Sequence, residues 1–254
     1  MTTTDSEALV ARAAAAGAPL KRSYVRAMFS EIAPRYDLLN HLLSLGIDRA
    51  WRRSALSQLG WERRPEGTYL DLCAGTLDVA AALSRRPGFR GQIIGADFAE
   101  PMLRAGRGKG LANVVAPVVA DALTLPLANE SCDGAIVAFG IRNVAGLAAA
   151  LAEVHRVLAT GARLVILEFS TPSLTLVRTL YLVYFRRVLP LIGRAVSGHR
   201  TAYRYLPESV QAFPESAALA TTMSDAGFRK VSWNVLSLGI AAIHVGEKAE
   251  MSSP

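Results

Sequence analysis

Short apolar runs alternate along this chain with stretches in which apolar residues recur at every third or fourth position. The first pattern predicts buried strands and the second predicts amphipathic helices. The predicted strands cover residues 69–73, 91–96, 114–119, 132–138 and 162–168. The predicted helices between them cover residues 77–85, 100–107 and 145–158, the last ended by Thr160-Gly161. This alternation predicts an α/β fold with a mostly parallel sheet and helices on both faces.

The pattern changes on either side of this repeat. Residues 20–59 predict helices that cap the open edge of the sheet. The apolar and basic stretch Leu174–Val196 is too long for a simple crossover and predicts a helical insertion over the cleft, within an insertion expected at 171–213. A helix expected at 215–226 is followed by two β-rich runs, at 230–235 and 239–246, which predict a closing pair of strands.

The composition fits one domain. With 254 residues and 51% hydrophobic content the chain can bury a full core, so we expect a single domain at 21–254 behind a flexible tail at 1–20. The tail lacks the basic and apolar regions of a signal peptide. No stretch of about 20 uncharged apolar residues is present, so no membrane span is expected. Cys73 and Cys132 suit a reduced, cytoplasmic setting better than a disulfide framework.

The net charge of +7 and the pI near 9.8 raise a nucleic-acid-binding alternative. The arginines are scattered along the chain, and the sequence has no recognition-helix motif, no zinc-ligand spacing and no basic stripe interleaved with aromatic residues. Attraction to anionic lipid or to an anionic substrate explains the excess at least as well. A basic nucleic-acid-binding module therefore stays as the non-enzyme alternative.

Three consecutive predicted strand ends carry residues suited to a nucleotide. The apolar run Tyr69–Leu83 breaks at Gly75-Thr76 and resumes with helical spacing, which indicates strand, tight turn and helix. Asp97 ends the next apolar run, 22 residues after Gly75, where a doubly wound sheet presents a carboxylate to a ribose. Asp121 ends the run after that. Together these positions predict a cleft for a nucleoside-like cofactor at one edge of the sheet.

Five separated segments resemble the bacterial quinone-biosynthesis C-methyltransferases, which use S-adenosylmethionine to methylate a ring carbon of demethylmenaquinol or of a ubiquinone precursor. They are YDLLNHLLSLGIDRAWRR at 36–53, LDLCAGTLDVA at 70–80, FGIRNV at 139–144, RVLATGARLVILEFS at 156–170, and YRYLPESVQAFP followed by AGF and GIAAIHVGEK. The resemblance implies a class I methyltransferase fold, Rossmann-like, with a mostly parallel seven-stranded sheet whose closing pair contains one antiparallel strand. It implies S-adenosylmethionine as co-substrate and no metal.

The sequence departs from the family pattern at several positions. Leu77 stands where the family usually has a second glycine, and its Cβ could crowd the cofactor. We expect Leu77 to adopt the right-handed helical conformation and turn its side chain into the core. Asp48 stands where a histidine is usual, and Thr160-Gly161-Ala162 replaces Pro-Gly-Gly. Ala138 occupies a position where relatives often carry a small hydroxyl that contacts the cofactor.

Seven residues are the candidate cofactor contacts: Asp71, Gly75, Thr76, Asp97, Asp121, Ala122 and Ala138. Asp97 would accept hydrogen bonds from the two ribose hydroxyls, the alternative being a solvated loop acid. Thr76 would help to hold the methionine carboxylate or would simply cap the following helix. Asp121 and Ala122 would meet the adenine, unless Asp121 is a plain turn acid. Asp71 is costly to bury unpaired and would bond the backbone of the turn or the amino group of the cofactor.

Three residues are the candidate catalytic groups. By the family pattern, Arg142 of FGIRN lies beside the transferred methyl, where its guanidinium would stabilise a developing phenolate; a purely structural ion pair is the alternative. Tyr36 on the N-terminal cap and Tyr203 on the late insertion are expected to close over the substrate. Aromatic residues in the insertion would line a channel for a prenyl tail, or would only complete the core.

The resemblance implies methyl transfer to a ring carbon of a prenylated quinol, with demethylmenaquinol as the expected acceptor. A ubiquinone-precursor benzoquinol or another prenylated phenol is the enzymatic alternative. The expected setting is cytoplasmic and peripheral at the inner face of the plasma membrane, with transient contact to an anionic membrane surface. A homodimer is an open alternative to a monomer.

Overall fold

The computed structural model describes residues 11, 13–15, 21–44, 46–184 and 200–249. Within these ranges the side chains at positions 39, 41–43 and 200–204 are not described.

Seven strands form one sheet. In chain order they are β1 Thr68–Leu72, β2 Gln92–Asp97, β3 Val115–Val119, β4 Cys132–Ala138, β5 Leu158–Phe169, β6 Phe228–Leu236 and β7 Ala241–Lys248. The strand order is β3-β2-β1-β4-β5-β7-β6. Strands β1 to β5 pair in parallel, whereas β7 is antiparallel to both of its neighbours. The predicted sheet, including one inserted antiparallel strand, is therefore confirmed.

Nine helices are labelled in the described part of the chain. They are α1 Lys21–Ile32, α2 Tyr36–Leu43, α3 Ile47–Gln58, α4 Asp78–Ser84, α5 Glu100–Ala105, α6 Leu147–Val157, α7 Thr175–Val183, α8 Arg200–Ala212 and α9 Ser216–Asp225. Helix α6 ends at Val157, one residue before the predicted end at 158, but no loop follows it. Helix α6 passes directly into β5 at Leu158, so Thr160 and Gly161 lie inside that strand.

The core lies on both faces of the sheet, because parallel strands are covered on both sides. On one face, Leu151 and Val154 of α6 and Met223 of α9 pack with inward residues of the strands. On the other face, α3 and α4 supply a second cluster around Trp51 and Leu83. None of the described helices is both long and apolar enough to cross a bilayer.

A third apolar cluster joins the N-terminal cap to the late insertion. Val25 and Met28 of α1 pack there with Tyr181 of α7 and Tyr205 of α8. Ala14 and Ala15 are helical and buried in the same cluster, so the predicted flexible tail does not extend through residues 14–15. The cap and the described helices of the insertion thus form one layer.

Candidate active site

A cavity opens at the edge of the sheet where β1, β2 and β4 end. It encloses about 650 Å³, including the part open to solvent, and five of the predicted site residues line it: Tyr36, Gly75, Asp97, Asp121 and Ala122. They come from the N-terminal cap and from three successive strand ends. The carboxyl edge of a parallel sheet is where such folds bind ligands. The structure therefore brings together half of the ten site residues that were predicted from the sequence.

The carboxylate of Asp97 joins the ends of β1 and β2. Its Oδ2 accepts a hydrogen bond from the backbone N–H of Gly75 at 2.9 Å, and its Oδ1 accepts one from the N–H of Ala99 at 2.9 Å. Burial raises the pKa of Asp97, and the backbone donors offset part of that rise. The N–H of Phe98 contributes a third hydrogen bond, so of the about four lone-pair sites of a carboxylate at least one remains for a ligand in the cavity.

The glycine turn keeps the floor of the cavity open. Gly75 has φ +53°, and a Cβ built on it would lie 3.4 Å from Cε of Met102 and 3.8 Å from the ring of Tyr36. Any larger side chain at position 75 would therefore extend into the space between these residues. Glycine also accepts the left-handed conformation at little cost.

The expectation that Leu77 adopts a right-handed conformation is wrong. Leu77 has φ 62° and ψ 24°, the left-handed region, and it immediately precedes α4. Its side chain is nevertheless buried, as expected, and lies outside the cavity lining. A Cβ built on Gly95 of β2 would be only 2.4 Å from Cδ2 of Leu77. Leu77 thus fills a space that exists because residue 95 has no side chain, and it does not crowd the cavity.

Thr76 does not cap α4. Its buried hydroxyl donates to Oδ1 of Asp37 on α2 and lies outside the cavity lining. Helix α4 has no side-chain N-cap, because Leu77 occupies that position. The hydrogen bond of Thr76 therefore connects the turn between β1 and α4 to the N-terminal cap.

An ionic network continues from this contact. Lys109 Nζ bridges the carboxylates of Asp37 and Asp78, with 2.7 Å to Asp78. Arg52 of α3 then joins Asp78 at 3.3 Å to the buried Asp48 at 2.7 Å. Asp48, which replaces the usual histidine, is thus the innermost member of a chain of alternating charges. The network fixes α2 and α3 against the start of α4.

Asp121 carries an interaction that the sequence did not indicate. Arg22 of α1 approaches its Oδ2 at 2.8 Å across the mouth of the cavity, and the N–H of Leu123 donates to Oδ1 at 3.0 Å. The guanidinium is largely exposed. Arg22 lines the cavity but belongs to no motif, so no sequence signal pointed to it.

Asp71 and Ala138 lie outside the cavity lining. Oδ2 of the buried Asp71 accepts a hydrogen bond at 2.9 Å from the N–H of Ala80, in α4 just beyond the turn. Burial raises the pKa of Asp71 to about 7, and the Ala80 N–H lowers it only in part. Asp71 therefore holds the first turn of α4 in place. We expected it to bond the backbone of the turn, and it bonds the backbone just beyond that turn.

Arg142 is buried behind the cavity and does not line it. Its Nη1 donates to Oε1 of Glu168 at 2.7 Å and to the carbonyl of Phe139 at 2.6 Å. Lys21 Nζ donates to the backbone carbonyl of Arg142 at 2.9 Å. The ion pair that was the alternative role for Arg142 is therefore present, and the role of its guanidinium beside the reacting atoms stays a prediction.

The next residue, Asn143, does line the cavity. It is buried, and its Oδ1 has no hydrogen-bond partner among the described residues. A buried acceptor without a partner is costly, and a ligand hydroxyl or amine would remove that cost. Asn143 belongs to the FGIRN segment, and membership of that segment is the sequence feature that could have identified it as a site residue.

The candidate tyrosines differ in what the structure describes. Tyr36 lines the cavity, and burial raises the pKa of its hydroxyl. Tyr203 lies in α8, but its side chain is outside the described residues. Tyr205, two residues later, is buried with a pKa raised to about 12 by burial. Its hydroxyl has no hydrogen-bond partner in the described part of the chain.

The residues present fit S-adenosylmethionine. The carboxylates of the cavity can accept hydrogen bonds from the ribose hydroxyls and amine groups of this molecule. Phe98 and Met102 provide apolar walls for its flat and apolar parts, and Oδ1 of Asn143 is a further acceptor. Among the described residues, no group of three His, Cys, Asp or Glu side chains could hold a metal ion.

Comparison with known proteins identifies the family of this chain. The model of the "ubiE/COQ5 methyltransferase family" matches residues 18–248. A demethylmenaquinone methyltransferase from Thermus thermophilus is 51% identical over 224 residues, which cover 87% of this chain and all of the relative. A demethylmenaquinone methyltransferase from Deinococcus radiodurans is 45% identical over 230 residues, 90% of this chain and 94% of the relative.

A solved structure shares the fold at low identity. An S-adenosylmethionine-dependent methyltransferase from Thermotoga maritima, described as a possible histamine N-methyltransferase, superposes with a TM-score of 0.63 at 18% identity, covering 88% of this chain and 99% of its own. Such similarity supports the fold alone. The family match spans nearly the whole chain and includes every strand, so this chain belongs to the ubiE/COQ5 methyltransferase family.

Proposed function

We propose that this protein transfers the methyl group of S-adenosylmethionine to a ring carbon of demethylmenaquinol, as a step of menaquinone biosynthesis. The observation that carries the proposal is the 51% identity to the Thermus relative over that protein's full length, together with a cavity lined at three strand ends by Gly75, Asp97 and Asp121. A benzoquinol acceptor is the second candidate. It is favoured by relatives from Geotalea, 43% identical, whose names include both ubiquinone and menaquinone.

The cofactor is assigned to the cavity by the chemistry of its lining. Asp97 would use its remaining lone-pair capacity to accept hydrogen bonds from the ribose hydroxyls. Asp121 would accept from the exocyclic amine of adenine, with Ala122 leaving room for the ring. Gly75 would allow the methionine part to approach the backbone. Thr76, Asp71 and Ala138 would contribute from behind the lining, by holding the turn and the strand ends.

The reaction adds a methyl group to an electron-rich ring. S-adenosylmethionine supplies an electrophilic methyl on a sulfonium. As the quinol carbon forms the new bond, the methyl–sulfur bond breaks and a quinol hydroxyl loses its proton. The ring carbon then loses its own proton and the oxygen takes one up, so that the aromatic quinol is restored with a net release of one proton. The protein must align the two substrates and stabilise negative charge on the ring oxygen. We assign the charge stabilisation to Arg142, and the closure over the ring to Tyr36 and Tyr203.

We also propose the setting of this reaction. The methyltransferase domain comprises residues 21–254, with the cap at 21–59 and the insertion at 171–213 shaping the acceptor side of the cavity. The enzyme works in the cytoplasm and visits the inner face of the membrane, because a quinol with a long prenyl tail resides there. A homodimer is an alternative to a monomer in solution.

The test is an incubation with labelled S-adenosylmethionine and three acceptors: a short-chain demethylmenaquinol, a short-chain demethoxy-benzoquinol and RNA. We expect label in the naphthoquinol product, attached to ring carbon by mass spectrometry, and only with a reductant present. The oxidised quinone is the matched control because it is too electron-poor to attack the sulfonium. Label on oxygen, or label in RNA alone, would overturn the proposal.

A further inference from the structure

Helix α7 presents apolar side chains to solvent. Leu176, Leu180 and Val183 are 74%, 64% and 46% exposed, and their spacing of four and three places them on one side of the helix. On another side, Tyr181 is buried against α1 and α8. A surface helix normally exposes polar residues opposite its buried stripe. The side of α7 that carries Leu176, Leu180 and Val183 is therefore apolar although it does not pack against the described core.

This side of α7 continues onto a neighbouring turn. The hydroxyl of Ser170 donates to the carbonyl of Gly239 at 2.6 Å, and the N–H of Ser170 donates to that of Ile240 at 2.9 Å. These bonds join the segment that leads into α7 to the turn before β7. Leu174 and Leu238, on the two joined segments, are 58% and 67% exposed. We call Leu174, Leu176, Leu180, Val183 and Leu238 the apolar face.

The positive charge of the protein is concentrated in the same part of the sequence. Residues 169–207 contain six arginines and no aspartate or glutamate, whereas the rest of the chain contains 22 basic and 21 acidic residues. Nearly the whole net charge of +7 therefore belongs to the segment that contains α7. Arg178, in α7 itself, is exposed. A basic segment that carries exposed leucines complements an anionic lipid surface better than a protein surface of mixed charge.

The apolar face also lies close to the cavity. Helix α7 follows β5 at the carboxyl edge of the sheet, the edge at which the cavity opens. Tyr181 of α7 shares an apolar cluster with Phe29 and Tyr36, two residues that line the cavity. A surface that contacted the apolar face would therefore lie beside the cavity.

We propose that the apolar face is a docking surface for an anionic bilayer. Its leucines enter the boundary between headgroups and acyl chains, and Arg178 of α7 contacts lipid phosphates. Helix α7 has nine residues and lies on the membrane without spanning it. The proposal rests on the proposed function, because a prenylated quinol in the membrane is the reason for the enzyme to bind there. Binding to the bilayer does not itself require methyl transfer.

The test is sedimentation with vesicles of phosphatidylcholine alone and of phosphatidylcholine with phosphatidylglycerol. The parent should bind the anionic vesicles, more weakly as salt is raised. Leu176→Ser with Leu180→Ser should lower the partition coefficient at least tenfold, because two leucines lose apolar burial. Arg178→Gln should lower it about fivefold, equivalent to ~1 kcal/mol for one basic residue.

The matched control replaces exposed apolar residues elsewhere on the chain, Leu111→Ser with Val119→Ser, at 47% and 52% exposure. This control should bind vesicles like the parent. Thermal unfolding and binding of S-adenosylhomocysteine, measured for every variant, should match the parent and show that the fold is retained.

Equal binding of the Leu176/Leu180 variant and the parent would overturn the proposal, and so would an equal loss in the control. A parent that is dimeric by light scattering, becomes monomeric with these two serines and ignores vesicles would instead assign the face to a second copy. Absence of methyl transfer to a short-tailed quinol would count against the proposed function and leave the vesicle result unaffected.

Discussion

Arg142 and Glu168 form a buried ion pair directly behind the cavity. Nη1 of Arg142 donates to Oε1 of Glu168 at 2.7 Å, and the two side chains are 7% and 2% exposed. The backbone N–H of Arg142 also donates to Oε2 at 3.3 Å, and Nε donates to the hydroxyl of Ser209 on α8 at 3.4 Å. The pair thus connects the FGIRN turn, the end of β5 and the late insertion.

The first prediction concerns the stability of this pair. Arg142→Met should lower the free energy of unfolding by ~3–5 kcal/mol, because it leaves the Glu168 carboxylate buried without its partner. Adding Glu168→Gln should recover ~2 kcal/mol or more. The double variant buries no uncompensated charge, and the new amide oxygen can still accept from the N–H of Phe169, as Oε1 of Glu168 does in the parent. Urea unfolding of the parent, both single variants and the double variant measures the coupling.

The same double variant separates the structural role of Arg142 from its assigned chemical role. If the guanidinium stabilises phenolate charge, kcat should stay about 10²–10³-fold below the parent after stability has been recovered, while the affinity for S-adenosylhomocysteine stays close to the parent value. A double variant that regains parental kcat would show that Arg142 acts only by holding the fold.

Local patterns predicted most of the sheet because each parallel strand is a buried apolar run. They also predicted that Gly75 and Asp97 would lie at one edge of the sheet, because both follow or end predicted parallel strands. The sequence allowed a structural ion pair for Arg142 but did not identify Glu168 as the partner, because no local pattern shows that β4 and β5 are neighbours in the sheet. Helix α6 was predicted to end at Thr160-Gly161, whereas it ends at Val157, and Thr160 and Gly161 lie in an irregular part of β5 between Leu158, which pairs with Cys132, and Arg163, which pairs with Gly134. The left-handed Leu77 was missed because leucine rarely adopts that conformation.

The second prediction concerns Leu77 and Gly95. Leu77→Gly should relieve ~1 kcal/mol of backbone strain but lose the burial of a whole side chain, for a net loss of ~2–3 kcal/mol. Gly95→Ala should cost ~1–3 kcal/mol in the parent, because its Cβ would meet the Leu77 side chain. In the Leu77→Gly background the same change should cost little, since the next nearest atom is Cβ of Ala74 at 3.6 Å.

Thermal or urea unfolding of the four proteins measures this coupling. The matched control is Gly146→Ala, whose Cβ would meet Cβ of Ala149 at an ordinary 3.7 Å; its effect should be the same in both backgrounds. Additive effects of the changes at positions 77 and 95 would contradict the packing described here. The affinity for S-adenosylhomocysteine should be unchanged or higher in Leu77→Gly, because Leu77 lies outside the cavity lining.

The third prediction follows from the raised pKa of Asp71, about 7 in the folded chain against an ordinary 3.8. Between these values the folded state keeps a proton that the unfolded state has lost. The stabilising effect of this group is therefore complete below pH 3.8 and disappears as the pH rises through about 7. Relative to Asp71→Asn, the parent should lose ~2–3 kcal/mol of unfolding free energy between about pH 5 and pH 8. A constant difference between the two proteins across this range would refute the assignment.

The last prediction concerns Asp97, whose two oxygens accept from the turn after β1 and from the end of β2. Asp97→Asn replaces one acceptor by an amide donor, so either the Gly75 or the Ala99 N–H loses its partner and one lone pair is lost to the ribose. The affinity for S-adenosylhomocysteine should fall about 10- to 100-fold, equivalent to ~1.5–3 kcal/mol for hydrogen bonds to a charged group. Asp133→Asn is the matched control, because Asp133 also accepts from a backbone N–H, that of Thr68 at 2.9 Å, but at the opposite end of β1. Calorimetric titration should show parental affinity in Asp133→Asn even where its stability is lowered. Equal affinity losses in the two variants would mean that Asp97 acts through general stability and not through the cofactor.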